Sequence, residues 1–267
     1  MRASLPMYNL PEMRSANGAF WAALRLEAGR LGLTGLPARL DDSRPAVPAV
    51  LENDLIFSQV CGYPLQTIFR GQAILLGAPC YAAAGCEGPT HVGVFVVHSD
   101  APFRTLGDLA GCRFAFNSIH SNSGMNLPRR AIAELAGGRP FFGSIVETGG
   151  HPASLDRVIS GDVDATCVDC VTYAFCCDYR DAVRAHTRIL AATQPSPAIP
   201  FVTSVATPAA VVEMLRATLA HLGAAPEHAG VRAGLKLTAI MPADEGAYPR
   251  LLELERDAAA LGYPKMA

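Results

Sequence analysis

Short apolar stretches alternate with polar turns and amphipathic segments along this chain. The clearest extended segment is VGVFVV at 92–97, which is apolar throughout. Further strands are predicted at 3–8, 54–58, 72–78, 113–116, 142–147, 164–168, 187–193, 200–206 and 235–240. Helical spacing of apolar residues predicts helices over 18–31, 124–136, 152–160, 169–177, 208–222 and 247–260. Two short helices are also predicted, one over 106–110 and one that ends near Phe69. This alternation predicts an α/β fold with a mostly parallel sheet that is covered by helices on both faces.

The composition narrows the class of protein. The chain has 267 residues, of which 50% are hydrophobic and 17% charged, as in ordinary globular proteins of one large domain or two small ones. The formal net charge of -2 argues against a nucleic-acid partner. No apolar run approaches the roughly 20 residues of a membrane-spanning helix, so no membrane segment is predicted.

The N-terminal segment MRASLPMYNLPEMR does not resemble a secretory signal, because it is polar and meets two prolines early. Either the protein stays in the cytoplasm or the numbered chain is a mature form, and the sequence leaves both compartments open. The eight cysteines have irregular spacings and are expected to be free buried thiols. A disulfide between Cys80 and Cys86 is the alternative, and no zinc or other metal site is predicted.

Three polar turns follow predicted strands and open helices, where ligands of parallel α/β sheets bind. The first contains Ser121, Asn122, Ser123 and Gly124. Its hydroxyl and amide donors, with the positive end of a helix dipole, suit a phosphate, phosphonate, sulfonate or carboxylate. N-capping would account for one such residue, and three in succession favour ligand contact.

The other two turns offer a histidine and an acid. His151 precedes Pro152 at a helix start and could donate to an oxyanion, although a lone histidine is often structural. Asp169 opens the next helix, where it could accept from a ligand amine or hydroxyl or act only as a cap, and Tyr173 shares that helix face. From the N-terminal half, Tyr8 and Tyr63 could line a ligand cleft or pack in the core.

Several of these motifs together resemble the phosphonate-binding family of periplasmic solute-binding proteins. They are the turns HSNSG and GGH, the block ISGDVDATCVDC before an aromatic-rich helix, and the segment FRTLGDLAGCRFAF. The resemblance implies a type II periplasmic-binding fold, with two lobes that are each a mixed sheet flanked by helices and a ligand cleft between them. Crossing strands near 94–99 and 194–201 would place 1–95 plus 200–267 in lobe one and 96–199 in lobe two.

The resemblance also implies roles for particular residues. The Ser-Thr-Ser turn of the family matches Ser121, Asn122 and Ser123, with an amide at the middle position. The histidine of the family matches His151, its acidic contact to an amino group falls near Asp169, and an aromatic position matches Tyr63. The implied function is that of a solute-binding protein in an ABC-type uptake or sensing system, periplasmic by resemblance. It would bind a small oxyanion by hinge closure, with an ABC permease as partner and no cofactor.

Two alternatives remain open at the level of sequence. The first is an enzyme on the same scaffold, acting on a small phosphorylated or heterocyclic metabolite, in which Cys170 and His151 would form a thiol–imidazole pair. The second is a ligand-sensing module of a regulatory complex. The chain has no GxSxG elbow, Walker loop, HExxH motif or dinucleotide glycine pattern, and binding without catalysis is therefore the favoured hypothesis.

Overall fold

The computed structural model describes all 267 residues and divides them into two compact units. The first unit consists of Met1–Ala82, Glu87–Thr90 and Pro197–Tyr248. The second unit consists of Ala83–Cys86, His91–Ser196 and Pro249–Ala267. Each unit is therefore assembled from segments that are distant in sequence.

Strands and helices alternate through most of the chain. The strands are β1 (Arg2–Ala3), β2 (Leu55–Gln59), β3 (Ala73–Tyr81), β4 (Thr90–His91), β5 (Gly93–His98), β6 (Arg113–Phe116), β7 (Ser144–Glu147), β8 (Ala165–Asp169), β9 (Thr187–Ala192), β10 (Ser196–Pro197), β11 (Phe201–Ser204) and β12 (Leu237–Met241). The α-helices are α1 (Arg14–Arg30), α2 (Gly62–Gln66), α3 (Leu127–Ala136), α4 (His151–Ile159), α5 (Cys170–Tyr179), α6 (Asp181–His186), α7 (Ala209–Ala224), α8 (Ala229–Gly234) and α9 (Arg250–Ala260). None of the helices is both long enough and apolar enough to cross a membrane.

The first unit is built on a five-stranded sheet in the order β1-β2-β11-β3-β12. Helix α1 packs Phe20 and Trp21 against this sheet, where they meet Phe57 of β2 and Phe201 of β11. The ring centroids of Phe57 and Phe201 are 5.3 Å apart, and Trp21 lies 5.5 Å from Phe57. Because aromatic side chains bury a large apolar area, these four buried rings form a major part of the core of this unit.

The second unit contains a five-stranded sheet in the order β7-β6-β8-β5-β9. The apolar strand β5 lies between β8 and β9 and is buried up to its last residue. Phe114 of β6 stacks on Phe142 with a centroid distance of 4.3 Å and also faces Phe95 of β5 at 6.3 Å. Helix α3 ends at Gly137, whose φ of 56° places it in the left-handed region that favours glycine, as the GG signal predicts.

The prediction of mostly parallel strands was wrong, because both sheets are mixed. Strand β6 runs parallel to β7 and β8, and β1 runs parallel to β2. Strand β11 is antiparallel to β2 and β3, β12 to β3, and β5 to β8 and β9. Neither β5 nor β11 is joined to its sheet neighbours by a direct strand–helix–strand crossover, which is the connection that imposes a parallel direction.

The C-terminal segment differs from the division expected from sequence, which placed all of 200–267 in lobe one. Residues Pro249–Ala267 group with the second unit. In that unit, Asn126 Nδ2 donates to the Leu251 carbonyl at 3.0 Å, and Arg129 Nη1 donates to the Pro264 carbonyl at 3.0 Å. Helix α9 and the residues after it therefore support α3 and the turn that precedes it.

Candidate functional site

The turn before α3 is organised by the hydroxyl of Ser121. Its Oγ accepts from the backbone N–H of Gly124 at 3.0 Å, which is the bond of an N-cap. Residues Asn122–Asn126 then form one π-helical turn, in which the Leu127 N–H donates to the Asn122 carbonyl, and α3 follows. Such turns are frequent at functional sites. The predicted serine-rich turn therefore lies at the positive end of a helical segment that starts two residues earlier than the predicted position 124.

Neighbouring residues approach the Cα atom of Gly124 so closely that only glycine fits at this position. A Cβ atom at this position would lie 1.9 Å from Asn117 Oδ1 and 3.2 Å from His151 Cε1. Atoms at 1.9 Å would overlap, so any side chain at this position would displace Asn117. The glycine thus allows the β6 end, the α3 turn and the α4 start to approach one another.

The amide of Asn122 lies inside a buried polar network. Its Nδ2 donates to Ser196 Oγ at 2.7 Å, and its Oδ1 accepts from Asn126 Nδ2 at 3.2 Å. Arg129 extends the network by donating to Asn126 Oδ1 at 2.7 Å. Asn122, at the middle of the predicted anion turn, therefore holds the turn in position. The hydroxyls of Ser121 and Ser123 are the remaining polar side-chain groups of that turn.

His151 starts α4 and faces the serine turn. Its Nε2 lies 3.1 Å from Ser123 Oγ and 3.4 Å from the backbone nitrogen of Asp169. The Asp169 N–H can only donate, so Nε2 accepts and the proton of the neutral ring resides on Nδ1. The Nδ1 atom of His151 is buried without a hydrogen-bond partner, and so is Oδ1 of Asn117. One donor and one acceptor of this site are therefore unsatisfied.

Burial lowers the pKa of His151 from its usual 6.5 to about 4. The nearby Asp169 carboxylate opposes this shift, whereas the charge of His91 adds to it. The imidazole is therefore neutral near pH 7, and it can offer a hydrogen-bond donor without a positive charge.

Asp169 is held by two contacts within its own unit. Its Oδ1 accepts from the Thr172 N–H at 2.9 Å, which caps α5, and its Oδ2 binds Nδ1 of His91. Burial raises the pKa of Asp169, but the charge and hydrogen bond of His91 outweigh burial, and the pKa lies below its usual value. Burial lowers the pKa of His91, but Asp169 outweighs it in turn, and that pKa is raised. The two side chains form a buried ion pair.

The predicted tyrosines lie elsewhere. The Tyr173 hydroxyl donates to Thr187 Oγ1 at 3.0 Å, and burial raises the pKa of Tyr173 to about 12. Tyr8 and Tyr63 are buried in the first unit, where Tyr8 packs edge-on against Tyr81 with a centroid distance of 5.3 Å. A direct role of these three residues in binding stays a prediction.

All eight cysteines are free, so the alternative of a Cys80–Cys86 disulfide is wrong for this structure. Cys86 contacts Cys170 instead, with 3.5 Å between the sulfur atoms. This hydrogen bond and burial raise the pKa of the Cys170 thiol, which favours the protonated and less nucleophilic form. His151 turns its Nε2 toward Ser123, so the proposed thiol–imidazole pair is not formed.

Sequence reasoning missed two members of this site. His91 precedes the apolar strand β5, and Asn117 follows β6. A single histidine before a buried strand gives no sign that it pairs with an aspartate 78 positions later. For Asn117, the signal was its place at the carboxyl end of a strand that runs parallel to its neighbours.

Comparisons with known proteins identify the family of this chain. The model of the family described as ABC transporter, phosphonate, periplasmic substrate-binding protein matches residues 74–248, which is more than half of the chain. The chain belongs to this family of substrate-binding proteins. A search of curated proteins found no match.

Solved structures show the same fold at low sequence identity. XAC2383 from Xanthomonas citri, bound to ATP, has a TM-score of 0.67 and 16% identity over 98% of this chain and 97% of its own. PhnD1 from Prochlorococcus marinus, in complex with methylphosphonate, has a TM-score of 0.63 and 16% identity over 90% and 83%. A binding-protein component of an ABC phosphonate transporter from Pseudomonas aeruginosa has a TM-score of 0.64 and 15% identity over 77% and 69%. The fold is that of the type II periplasmic binding proteins, as the resemblance implied.

Proposed function

We propose that this substrate-binding protein binds a small oxyanion, with phosphonate or phosphate as the first candidates, at the turn Ser121–Gly124. The observation that carries the proposal is the buried Nδ1–H of His151, which lacks a partner beside that turn. A buried donor without a partner destabilises the protein by about 1–3 kcal/mol, and an acceptor oxygen from a ligand would remove this penalty.

The donors of the proposed site are neutral. Ser121 contributes a hydroxyl, and His151 contributes an N–H from an imidazole whose pKa is about 4. The Ser123 hydroxyl donates to Nε2 of His151 in this structure and would have to rotate away from it to donate to the ligand. The helix that starts at the turn adds the positive end of its dipole. Hydrogen-bond donors together with a helix N-terminus can hold an oxyanion without a lysine or arginine in contact with it.

The buried ion pair of His91 and Asp169 helps to hold His151 in position. Asp169 fixes the N-terminus of α5 and presents its backbone N–H to His151. Because His91 neutralises Asp169, this carboxylate adds no net negative charge that would oppose an anion at the turn. The unpartnered Asn117 Oδ1 beside Gly124 is an acceptor, and it favours a ligand that carries a proton or an amino group next to its oxyanion.

Relatives with this fold bind phosphorus oxyanions, which supports the proposed ligand class. PhnD1 was solved with methylphosphonate and XAC2383 with ATP. The family membership supports an ABC permease as the partner that would receive the ligand. Hinge closure on binding stays a prediction.

We propose binding without catalysis. The distance of 3.1 Å between Ser123 Oγ and His151 Nε2 is that of a nucleophile and its base. In such a triad, however, a carboxylate binds the other ring nitrogen, whereas Nδ1 of His151 has no partner and Asp169 is paired with His91. The pair lacks the group that would orient it for proton transfer.

A thermal-shift panel on the purified chain tests the proposal. The panel contains phosphate, phosphite, alkyl- and aminophosphonates, sulfonates, dicarboxylates and pyrimidines. A ligand at about 100 times its Kd stabilises the protein by about 2.7 kcal/mol, which corresponds to a shift of about 5–10 °C for a chain of this length. We expect the shift with a phosphorus oxyanion.

The variant Ser123→Ala should abolish the shift, because it removes a hydroxyl from the turn. Ser160→Ala is the matched control, since its hydroxyl is exposed and donates to the Arg157 carbonyl in the same unit. A flat panel on protein that was unfolded, dialysed and refolded would contradict the proposal. An equal shift in the Ser123→Ala variant would place the ligand elsewhere.

A further inference from the structure

The first unit contains a cluster of two histidines and a carboxylate that the binding function does not use. Glu27 lies in α1, His221 in the last turn of α7, and His228 just before α8. The ligand atoms of these three side chains all lie within 4.8 Å of one another. Glu27 and His228 are buried, whereas the His221 side chain is 45% exposed. The cluster therefore has two fixed members and one open side.

The distances within the cluster fit a tetrahedral metal site. His228 Nε2 lies 3.0 Å from Glu27 Oε1, and His221 Nε2 lies 3.6 Å from Glu27 Oε2. A zinc ion with bonds of about 2.0–2.1 Å has ligand atoms about 3.3 Å apart along each edge of the tetrahedron. The two imidazole rings are nearly perpendicular, at 85°, with centroids 5.6 Å apart. Their Nε2 atoms approach the same carboxylate from different directions, as two ligands of one ion would.

A fourth ligand is available from the connection after α7. Glu227 Oε1 lies 3.5 Å from His221 Nε2, and its side chain is exposed. Two imidazoles and one or two carboxylates are a common ligand set for Zn²⁺. We propose that Glu27, His221 and His228 form a Zn²⁺ site, with Glu227 or a water molecule in the fourth position.

Arg30 competes with the metal for the same carboxylate. Its Nη1 lies 2.7 Å from Glu27 Oε1 and 2.9 Å from Oε2. The Arg30 side chain is 61% exposed, so it can move into solvent when an ion takes its place. A cation that stabilises Glu27 in the absence of metal weakens metal binding, because the ion must first displace it. Removal of Arg30 should therefore tighten the Zn²⁺ site.

Zn²⁺ titration of the chelator-treated full chain, with a chromophoric chelator as competitor, tests this site. We expect one equivalent of Zn²⁺ to bind and Mg²⁺ not to compete, because Mg²⁺ prefers oxygen ligands. His221→Ala should weaken binding about tenfold or more, and Arg30→Ala should tighten it. His221 is exposed, so its replacement leaves the fold intact. His186→Ala is the control, since His186 stacks on His98 in the second unit and belongs to no such cluster.

The eight free thiols are the main competing ligands, and Co²⁺ distinguishes them. Co²⁺ bound to nitrogen and oxygen lacks the strong near-ultraviolet charge-transfer band that thiolate ligands produce, and we expect no such band. A thiolate band, or equal Zn²⁺ affinity in the parent and His221→Ala chains, would overturn the proposal. So would Arg30→Ala if it weakened binding, because Arg30 would then support the cluster instead of competing for it.

Discussion

Nδ1 of His91 binds Oδ2 of Asp169, and both side chains are almost completely buried, with 2% and 1% of their surface exposed. The pair joins the segment before β5 to the start of α5. Its removal from water is compensated only while both partners are present, because a lone buried charge has no counterion. The free energy of unfolding should therefore respond strongly to the replacement of either partner.

Replacing one partner should destabilise the protein strongly. We expect His91→Gln to lower the free energy of unfolding by about 3–5 kcal/mol, because it leaves the Asp169 carboxylate buried and unpaired. Asp169→Asn should also be destabilising, because it leaves the charged His91 buried without a carboxylate partner, although asparagine preserves the cap of α5. The double variant should lose less than the sum of the two single variants. Urea unfolding of the four proteins measures this coupling, and additive losses would contradict it.

An exposed pair provides the comparison. Arg130 and Glu134 are one helical turn apart in α3, with 3.1 Å between Nη1 and Oε1. Glu134→Gln should change the stability by no more than about 0.5 kcal/mol, because solvent screens such pairs.

The neutral state of His151 predicts a dependence of stability on pH. Its pKa in the folded protein is about 4, below the usual 6.5, so the unfolded chain binds this proton first as the pH falls. Stability that is present above pH 6.5 is therefore lost between pH 6.5 and about 4, by at most about 3 kcal/mol. His151→Gln lacks this loss, since its amide does not titrate.

The measurement is the difference in unfolding free energy between the parent chain and His151→Gln at pH 7 and at pH 4.5. The parent should lose more stability than the variant. The shift of His91 has the opposite sign and is present in both proteins, so it does not enter the difference. A difference that is constant with pH would show that folding does not lower the pKa of His151.

Gly124→Ala should disrupt ligand binding more than the fold. The new methyl group would meet Asn117 Oδ1 at 1.9 Å, so Asn117 or the turn must move. We expect a loss of affinity of about tenfold or more in calorimetric titration. Gly107→Ala is the control in the same unit, because its Cβ would make only an ordinary contact at 3.6 Å to Thr105 Oγ1. Equal losses in both variants would mean that the turn is not the site.

Cys170 should resist alkylation. It is 3% exposed, its sulfur contacts Cys86, and its pKa is raised. The partly exposed Cys112 and Cys177 should react with iodoacetamide before it, and Cys170→Ser should keep its affinity for the ligand. Peptide mass mapping after timed labelling checks the order. Rapid and selective labelling of Cys170 would revive the hypothesis of a catalytic thiol.

Most of the fold could be predicted from the sequence because its elements have local signals. Strand β6 has the predicted bounds, and α4 and α5 begin one residue from their predicted starts, where Pro152 and Asp169 mark the helix entries. The mixed direction of the sheets could not be predicted from alternation alone. Strand direction depends on which segments pair, and Phe201 pairs with Gln59, far away in the sequence.

Only those residues of the candidate site that stand in polar turns before helices could be predicted from the sequence. The serine turn and His151 stand next to helix starts, and the structure brings them to 3.1 Å. His91 has no comparable signal, because its partner comes from another strand. The cluster of Glu27, His221 and His228 is also invisible in the sequence, since Glu27 and His228 are 201 positions apart. Contacts of this kind arise only when the chain returns to an earlier element.

The position of β11 in the first sheet has a consequence for biosynthesis. Strands β2 and β3 flank β11, yet β11 is translated long after both of them. Until Phe201–Ser204 leaves the ribosome, the facing edges of β2 and β3 stay unpaired, and such edges recruit other strands. A nascent chain arrested before residue 201 should therefore depend on chaperones more than the complete protein does.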